Sequence, residues 1–276
     1  VSPLLFNIVI DAIMRKVFQG RSGVQYDGDH STTDLMFADD SAIFANDDAE
    51  ATNILNDIAR IAQSYGLKIN ADKTKVMVLD GSQAIVHLEG TQIEQVQEFK
   101  YLGSLLQEKK VATTKEIHGR IGQATAAFAS LKWCLWKKTN ISTKTKVRLF
   151  RTLVLPILLY GSETWILLKP DLNKLEVFQM RCLRQILRVT LHDHLRNDTI
   201  RERCEQQQTM EEQIQQRRLR WFGHVCRMPE RRLPHGLLWK HRPAQWKIQR
   251  TAPKKTWIKQ IEEDLRPRRL TLDDAK

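Results

Sequence analysis

The stretch Leu35-Met36-Phe37-Ala38-Asp39-Asp40-Ser41-Ala42-Ile43-Phe44 places two adjacent carboxylates between two short apolar runs that favour β-strands. In one continuous strand, neighbouring side chains point to opposite faces, so Asp39 and Asp40 could not share a ligand. At a tight hairpin turn the alternation is interrupted, and both carboxylates can approach one site. Such a pair suits a divalent cation such as Mg²⁺, which prefers hard oxygen ligands. The alternative is a solvated Asp-Asp turn.

Charge is distributed unevenly along the 276 residues, which carry a net charge of +12. Residues 1–110 contain 10 Lys and Arg against 16 Asp and Glu, whereas residues 111–276 contain 34 against 16. All seven Trp follow residue 110. An acidic part followed by a basic, Trp-containing part indicates a polyanionic partner for the second half.

Cysteine usage and hydropathy exclude several classes of protein. The four Cys are widely spaced, which argues against a disulfide framework, and a zinc site with His192 and His194 lacks the close ligand pairs that zinc sites use. The longest apolar run, Leu153 to Tyr160, is too short to span a bilayer and contains Pro156. We find no signal peptide and expect a soluble protein of a reducing compartment.

The order of predicted elements divides the chain into a mixed half and a helical half. The first half begins with a helix over residues 2–18, continues with the Asp-Asp hairpin and a helix ended by Gly66, and then has short strands and a hairpin broken at Gly103. This order predicts an α+β layer, an antiparallel sheet with helices on one face.

From Thr113 onward, apolar residues recur at the spacing of an α-helix. The predicted helices are Thr114 to Lys138, Thr143 to Tyr160, Asp171 to Leu187, Arg196 to Met228 and Lys254 to Leu265. Residues 229–253 are rich in Pro, Arg, Trp and Gln and are predicted to form a loosely ordered connector.

Several motifs in this order resemble those of reverse transcriptases of non-LTR (LINE-like) retrotransposons. They are Val1-Ser2-Pro3-Leu4-Leu5-Phe6-Asn7, Phe37-Ala38-Asp39-Asp40, Gly66-Leu67-Lys68-Ile69-Asn70 through Lys73-Thr74-Lys75, and Phe99-Lys100-Tyr101-Leu102-Gly103. The basic half is similar at Tyr160-Gly161-Ser162-Glu163-Thr164-Trp165 and Arg218-Leu219-Arg220-Trp221-Phe222-Gly223-His224-Val225. The resemblance implies a partial polymerase palm over residues 1–110, an all-helical thumb over 111–190 and a basic Trp/Arg-rich helical extension over 191–276.

The resemblance also implies a two-metal mechanism of nucleotidyl transfer, in which two Mg²⁺ ions activate the primer 3′ hydroxyl and stabilise the leaving pyrophosphate. Asp39 is expected to contact metal directly, and Asp40 to ligate or tune the second ion. Lys73 is the candidate to neutralise or protonate the leaving phosphate, with a solvated turn lysine as the alternative.

The other family positions would hold the substrates, namely an RNA template, a DNA primer and a dNTP. The residues expected to face the nascent base pair are Ser2, Pro3 and Asn7. Those expected to position the primer end are Tyr101, Leu102 and Gly103, where Gly103 would allow close backbone approach. A core strand pair is the alternative for this second hairpin.

Members of the family carry another metal-binding Asp on a strand upstream of the Ser-Pro helix, and this sequence begins after that point. Two of three carboxylates should bind Mg²⁺ weakly, so we expect negligible polymerase activity from the chain alone.

The basic half combines side chains that contact phosphates with rings that stack on bases. The candidate nucleic-acid-binding residues are Lys132, Lys137, Lys138, Arg217, Arg218 and Arg220. The alternative is a solvated basic face over a core that contains the Trp residues, and we expect Trp133 and Trp165 in that core.

These features predict the C-terminal part of an RNA-directed DNA polymerase with no membrane segment. The alternative is a non-catalytic nucleic-acid-binding protein derived from a retrotransposon. The family resemblance implies a nuclear location, because its elements copy RNA at a chromosomal nick.

Overall fold

The computed structural model describes residues 2–26, 30–79, 81–108, 113–239 and 255–275. The fold combines helices with small, mostly antiparallel sheets and is 57% helical, which is compatible with the expected α+β class. The described residues form two compact units. The first comprises residues 2–108 with 229–239, and the second comprises residues 113–228 with 255–275.

Two helices build the main core of the first unit. Helix α1 spans Ser2–Phe18 and helix α2 spans Asp48–Gln63, where the Asp47 side chain caps α2 by accepting a hydrogen bond from the Glu50 backbone N–H. Their facing stripes bury Ile13, Met14, Val17, Ile54, Ile58 and Ala62. The predicted helix over residues 2–18 is confirmed. Its first two turns leave Leu4, Leu5 and Ile8 exposed.

Short strands pair two by two in the described part of the first unit. They are β1 Val24–Gln25, β2 Ser31–Thr32, β3 Asp34–Phe37, β4 Asp40–Ile43, β5 Lys75–Val76, β6 His87–Leu88, β7 Thr91–Gln92, β8 Glu94–Gln95, β9 Glu98–Tyr101 and β10 Ser104–Gln107. The pairs β1–β2, β3–β4, β6–β7 and β9–β10 are antiparallel, and β5–β8 is parallel. Each pair is a separate two-stranded ladder rather than part of one continuous sheet.

Helices make up the second unit. They are α3 Thr113–Ser130, α4 Thr143–Leu149, α5 Leu155–Leu158, α6 Lys169–Leu187, α7 Asn197–Arg203, α8 Met210–Cys226 and α10 Trp257–Leu265, with π-helical segments at Lys132–Trp136 and Phe150–Val154. Short 3₁₀ turns occupy Ser162–Thr164, Leu191–Asp193, Arg266–Arg268 and Asp273–Ala275. One hydrophobic core extends from Ile117 to Ile214 and includes the predicted core residue Trp165.

The expectation of one α-helix from Thr114 to Lys138 is wrong, and so is the core position of Trp133. Helix α3 ends at Ser130, and the following π-helical segment changes the register of the side chains. Trp136 is therefore buried, stacks on Phe128 with ring centroids 4.6 Å apart, and donates its indole N–H to the Phe128 carbonyl at 2.7 Å. Trp133 is 69% exposed.

The long helical pattern from Arg196 to Met228 is likewise interrupted. Glu205 and Gln206 both adopt positive φ values, 57° and 52°, which ends α7 before α8 begins. Helix α9, Leu233–Trp239, lies inside the segment expected to be a loose connector, and residues 240–253 of that segment lie outside the described residues.

Helix α10 makes polar contacts with the segment that precedes α6. The Trp257 indole N–H donates to the Glu163 carbonyl at 2.8 Å, and Gln260 Oε1 accepts from the Leu167 backbone N–H at 2.8 Å. None of the helices in the described ranges combines the length and apolarity that crossing a lipid bilayer requires.

Candidate functional site

The Asp-Asp stretch forms the predicted hairpin. Strands β3 and β4 pair from Asp34↔Ile43 to Phe37↔Asp40, which leaves Ala38 and Asp39 as a two-residue turn. Ala38 has a positive φ of 54°, a conformation that residues other than Gly, Asn and Asp seldom adopt. The hairpin therefore places Asp39 in the turn itself and Asp40 at the first position of β4.

Both carboxylates are open to solvent. Asp39 and Asp40 are exposed, and no described residue forms a hydrogen bond or ion pair with either side chain. Two uncommitted carboxylates fit Mg²⁺, which commonly takes one or two carboxylates together with substrate phosphates and water. Across the described ranges, no group of three or more His, Cys, Asp or Glu side chains is arranged to hold a metal ion.

A second hairpin contacts the first one. Strands β9 and β10 pair from Glu98↔Gln107 to Tyr101↔Ser104, with Leu102 and Gly103 in the turn at φ values of 48° and 81°. Two successive positive φ values are typical of the type I′ turn, whose geometry matches the strand twist. Gly103 therefore serves the turn conformation itself.

Tyr101 joins the two hairpins. Its hydroxyl donates a hydrogen bond to the Leu35 carbonyl on β3 at 3.1 Å. Burial, followed by the nearby carboxylates of Asp40 and Asp34, raises the pKa of the Tyr101 hydroxyl above its usual value. The group therefore stays a protonated donor at neutral pH. The structure thus brings Tyr101, one of the residues expected to position the primer end, into contact with the hairpin that carries Asp39 and Asp40.

Three further candidates of the first unit are exposed to solvent, namely Lys73, Pro3 and Asn7. Lys73 is exposed in a turn where its backbone N–H donates to Asn70 Oδ1 at 3.1 Å, and its ammonium group forms no hydrogen bond or ion pair with a described residue. Ser2, Pro3 and Asn7 lie in the first two turns of α1, where Pro3 and Asn7 are exposed.

Two of the three predicted lysines of the second unit lie over an exposed aromatic ring. The ammonium groups of Lys132 and Lys137 lie 5.6 Å and 3.9 Å from the Trp133 ring centroid. Lys138 is exposed, and its carbonyl accepts a hydrogen bond from Lys146. Two cations therefore lie against one accessible aromatic ring in this part of the chain, and Lys138 is a third exposed cation close by in sequence.

The three predicted arginines of α8 do not share a surface. Arg218 is 4% exposed, and its Nε donates to Asp264 Oδ2 at 2.6 Å on α10. Arg220 is exposed and Arg217 is partly exposed, and both line a cavity with Trp221. Successive helical residues are about 100° apart around the axis, which separates Arg218 from its neighbours. We therefore leave Arg218 out of the candidate interface.

Sequence reasoning missed two charged residues of this cavity. Arg227 and Glu163 line it together with His224. The signal for Arg227 is spacing, because residues 217, 220, 221, 224 and 227 recur at helical intervals on one face of the helix. Glu163 comes from a separate segment and carries no such signal.

Comparison with known proteins identifies the family. Residues 1–106 match the family model described as reverse transcriptase (RNA-dependent DNA polymerase). A putative uncharacterized transposon-derived protein of Caenorhabditis elegans is 32% identical over 225 residues, which cover 78% of this chain and 78% of that protein.

Two Drosophila melanogaster proteins are also similar. The probable RNA-directed DNA polymerase from transposon BS is 29% identical over 60% of this chain, and the RNA-directed DNA polymerase from mobile element jockey is 28% identical over 54%. The matched regions span 20% and 17% of the two fly proteins. With its Asp-Asp hairpin, this chain belongs to the reverse transcriptases of non-LTR retrotransposons.

Proposed function

We propose that this chain contributes a metal-binding carboxylate pair and a primer-positioning hairpin to an RNA-directed DNA polymerase that extends a DNA primer on an RNA template. The observation that carries this function is the hydrogen bond from Tyr101 to Leu35, because it joins the second hairpin to strand β3 of the hairpin that carries Asp39 and Asp40. A site for metal and a surface for the primer end would then be neighbours.

The two carboxylates have different tasks in this proposal. Asp39, in the turn, would contact metal directly, and Asp40 would ligate or tune a second ion. Bound Mg²⁺ would supply Lewis-acid stabilisation of negative charge on the phosphates of a dNTP. The neighbouring Tyr101 hydroxyl is protonated and brings no negative charge of its own to the site.

The substrate contacts follow from exposure and position. The primer end would lie along the turn formed by Tyr101, Leu102 and Gly103. The nascent base pair would lie near the start of α1, where Ser2, Pro3 and Asn7 are found. Lys73, exposed and without an ion pair to a described residue, would neutralise or protonate the leaving phosphate.

The rest of the chain would hold the nucleic acid. We assign residues 1–110 to a partial palm, 111–190 to a helical thumb and 191–276 to a basic extension. Lys132, Lys137, Lys138, Arg217 and Arg220 are the proposed phosphate contacts. A nuclear site of action fits a family whose elements copy RNA at a chromosomal nick.

We further propose that the 276-residue chain alone extends primers poorly, because the hairpin offers two carboxylates to a two-metal site. Mn²⁺ titration followed by NMR tests the metal site itself. Paramagnetic broadening should be centred on residues 37–41 and should disappear in an Asp39→Asn/Asp40→Asn double variant. The control is Glu89→Gln, which removes one negative charge at another exposed turn of the same unit and should leave the broadening unchanged.

Broadening that is centred elsewhere, or that survives the double substitution, would remove the metal-site assignment. Primer extension by the unmodified chain, clearly above the background set by Asp39→Ala, would overturn the proposed weakness of the isolated chain. A primer–template substrate with Mg²⁺ and all four dNTPs is sufficient for this second measurement.

A further inference from the structure

A cavity of about 660 Å³ lies in the second unit between α8 and the segments that carry Glu163 and Gln208. Its volume falls within the range of roughly 300–1,000 Å³ that is typical of small-ligand pockets. Helix α8 buries one stripe, formed by Ile214, Arg218, Phe222 and Val225, and turns another toward the cavity.

Three guanidinium groups line this cavity against one carboxylate. They belong to Arg217, Arg220 and Arg227, and the carboxylate belongs to Glu163. Arg220 and Arg227 are exposed, and their side chains form no hydrogen bond or ion pair with any described residue. Guanidinium groups that are not engaged in this way suit phosphate oxygens, which they can bind in a bidentate manner.

Gly223 explains how Arg227, beyond the last residue of the helix, reaches this face. A Cβ atom built at Gly223 would lie 3.2 Å from Arg227 Nη1, so the guanidinium folds back along the helix over the glycine. A Cβ atom at this position would require the Arg227 guanidinium to shift by a few tenths of an ångström. The absence of a side chain at Gly223 thus allows the Arg227 guanidinium to lie close to the helix on the face that lines the cavity.

Two rings form that aromatic part. Trp221 is half-buried, and the centroids of Trp221 and His224 lie 5.6 Å apart with their planes at 47°. The two rings are thus not stacked in parallel on each other, and both line the cavity. An aromatic ring next to phosphate-binding cations is the combination that proteins use to hold unpaired bases.

We propose that this cavity binds single-stranded nucleic acid, an inference that rests on the proposed function for its choice of polymer. An unpaired base would stack on Trp221, and Arg217, Arg220 and Arg227 would bind the adjacent phosphates. Glu163 would accept a hydrogen bond from an N–H group on the base edge. A base within a duplex cannot enter, because both of its faces are covered by neighbouring base pairs.

Fluorescence anisotropy of labelled oligo(rU), oligo(dT) and a DNA duplex of the same length tests this site, with EDTA present and dNTPs absent. Trp221→Leu should weaken binding of the single strands about 5- to 150-fold, since base stacking contributes about 1–3 kcal/mol, and should leave duplex binding within about two-fold. The control is Leu191→Ala, which shortens an exposed apolar side chain of the same unit outside the proposed contacts, and it should keep the single-strand affinity largely unchanged.

The second test is the double variant Arg220→Gln/Arg227→Gln. Because both side chains are exposed, this variant should fold even if Trp221→Leu does not. It should reduce the dependence of log K on log salt by about 1.4, or about 0.7 for each lost phosphate contact. The matched control is Arg203→Gln on α7, which is also exposed. Comparison of oligo(rU) with oligo(dT) decides between RNA and DNA as the preferred strand.

Equal losses on single strands and duplex, or unchanged binding in both the Trp221 and the arginine variants, would overturn the single-strand site. Failure of primer extension leaves it intact, because neither metal nor dNTP is present in this measurement. Absence of any nucleic-acid binding by the unmodified chain would instead remove the proposed nucleic-acid-binding role together with this site.

Discussion

The Tyr101 hydroxyl donates a hydrogen bond to the main-chain carbonyl of Leu35 across 66 residues of sequence, at 3.1 Å. This contact joins the hairpin whose turn is Leu102-Gly103 to the hairpin that carries Asp39 and Asp40. Because the acceptor is a backbone carbonyl, the link depends on the path of β3 and on the tyrosine hydroxyl, and is independent of the side chain at position 35.

Tyr101→Phe should loosen this link and cost about 0.5–1.5 kcal/mol in the free energy of unfolding of the first unit. Hydrogen exchange at the β3 and β9 amides should accelerate in the variant, as measured by NMR. Tyr26→Phe is a suitable control tyrosine in the same unit. Equal exchange rates in Tyr101→Phe and the unmodified chain would argue that the contact does not couple the hairpins.

The same tyrosine predicts an alkaline loss of stability. Its pKa is raised in the folded state by burial and by Asp40 and Asp34, so the folded protein retains a proton that the unfolded chain releases. Stability contributed by this group should be fully present below the unfolded pKa of about 10 and should fall as pH rises through the folded pKa. Denaturant unfolding at stepped alkaline pH should show this extra slope in the unmodified chain and a smaller slope in Tyr101→Phe.

Ala38→Gly should stabilise the Asp-Asp hairpin by about 1 kcal/mol, because Ala38 holds a left-handed φ of 54° that glycine adopts without steric cost. The matched control is Ala42→Gly, on the adjoining strand β4, where the added backbone freedom should destabilise by about 0.5–1 kcal/mol. Thermal unfolding measures both. Destabilisation by both substitutions would indicate that Ala38 is relaxed in its turn.

Local chemistry made much of the first unit predictable. The Asp-Asp hairpin, the hairpin broken at Gly103 and the helix that begins at Ser2-Pro3 all depend on residues within a few positions of one another. Turn conformation and helix starts are specified at that range by residue type, so sequence patterns locate them. The resemblance to reverse transcriptases used the same short motifs and was confirmed by the comparisons.

The features that sequence reasoning missed depend on distant partners or on small changes of helical register. Arg218 was grouped with Arg217 and Arg220 because the three are close in sequence, yet its partner Asp264 lies 46 residues away. Trp133 was expected in the core but is exposed, and Trp136 is buried instead, because a π-helical segment interrupts the 3.6-residue period. No pattern within a short window specifies either outcome.

Loss of the buried Arg218–Asp264 ion pair should lower the free energy of unfolding much more than loss of an exposed ion pair of this chain. Asp264→Asn should destabilise the second unit by about 3–5 kcal/mol, because the guanidinium would stay buried without its counter-charge. Asp11→Asn removes the partner of Arg15 in an exposed pair and should cost at most about 1 kcal/mol. Chemical denaturation of both variants gives the comparison, and equal costs would show that burial of the Arg218 pair is not what stabilises α10.

Thiol labelling should separate the four cysteines by environment. Burial raises the pKa of Cys182 to about 12 and that of Cys204 to about 11, so both thiols are shielded and almost wholly protonated at neutral pH. Cys134 is exposed and should react first with a maleimide, whereas Cys182 and Cys204 should react only as the second unit unfolds. Mass spectrometry of timed samples assigns each modification, with Cys134→Ser as the control that should remove the fast phase. Rapid labelling of Cys204 in the native protein would contradict the placement of α7 against the core, because that placement is what buries this thiol.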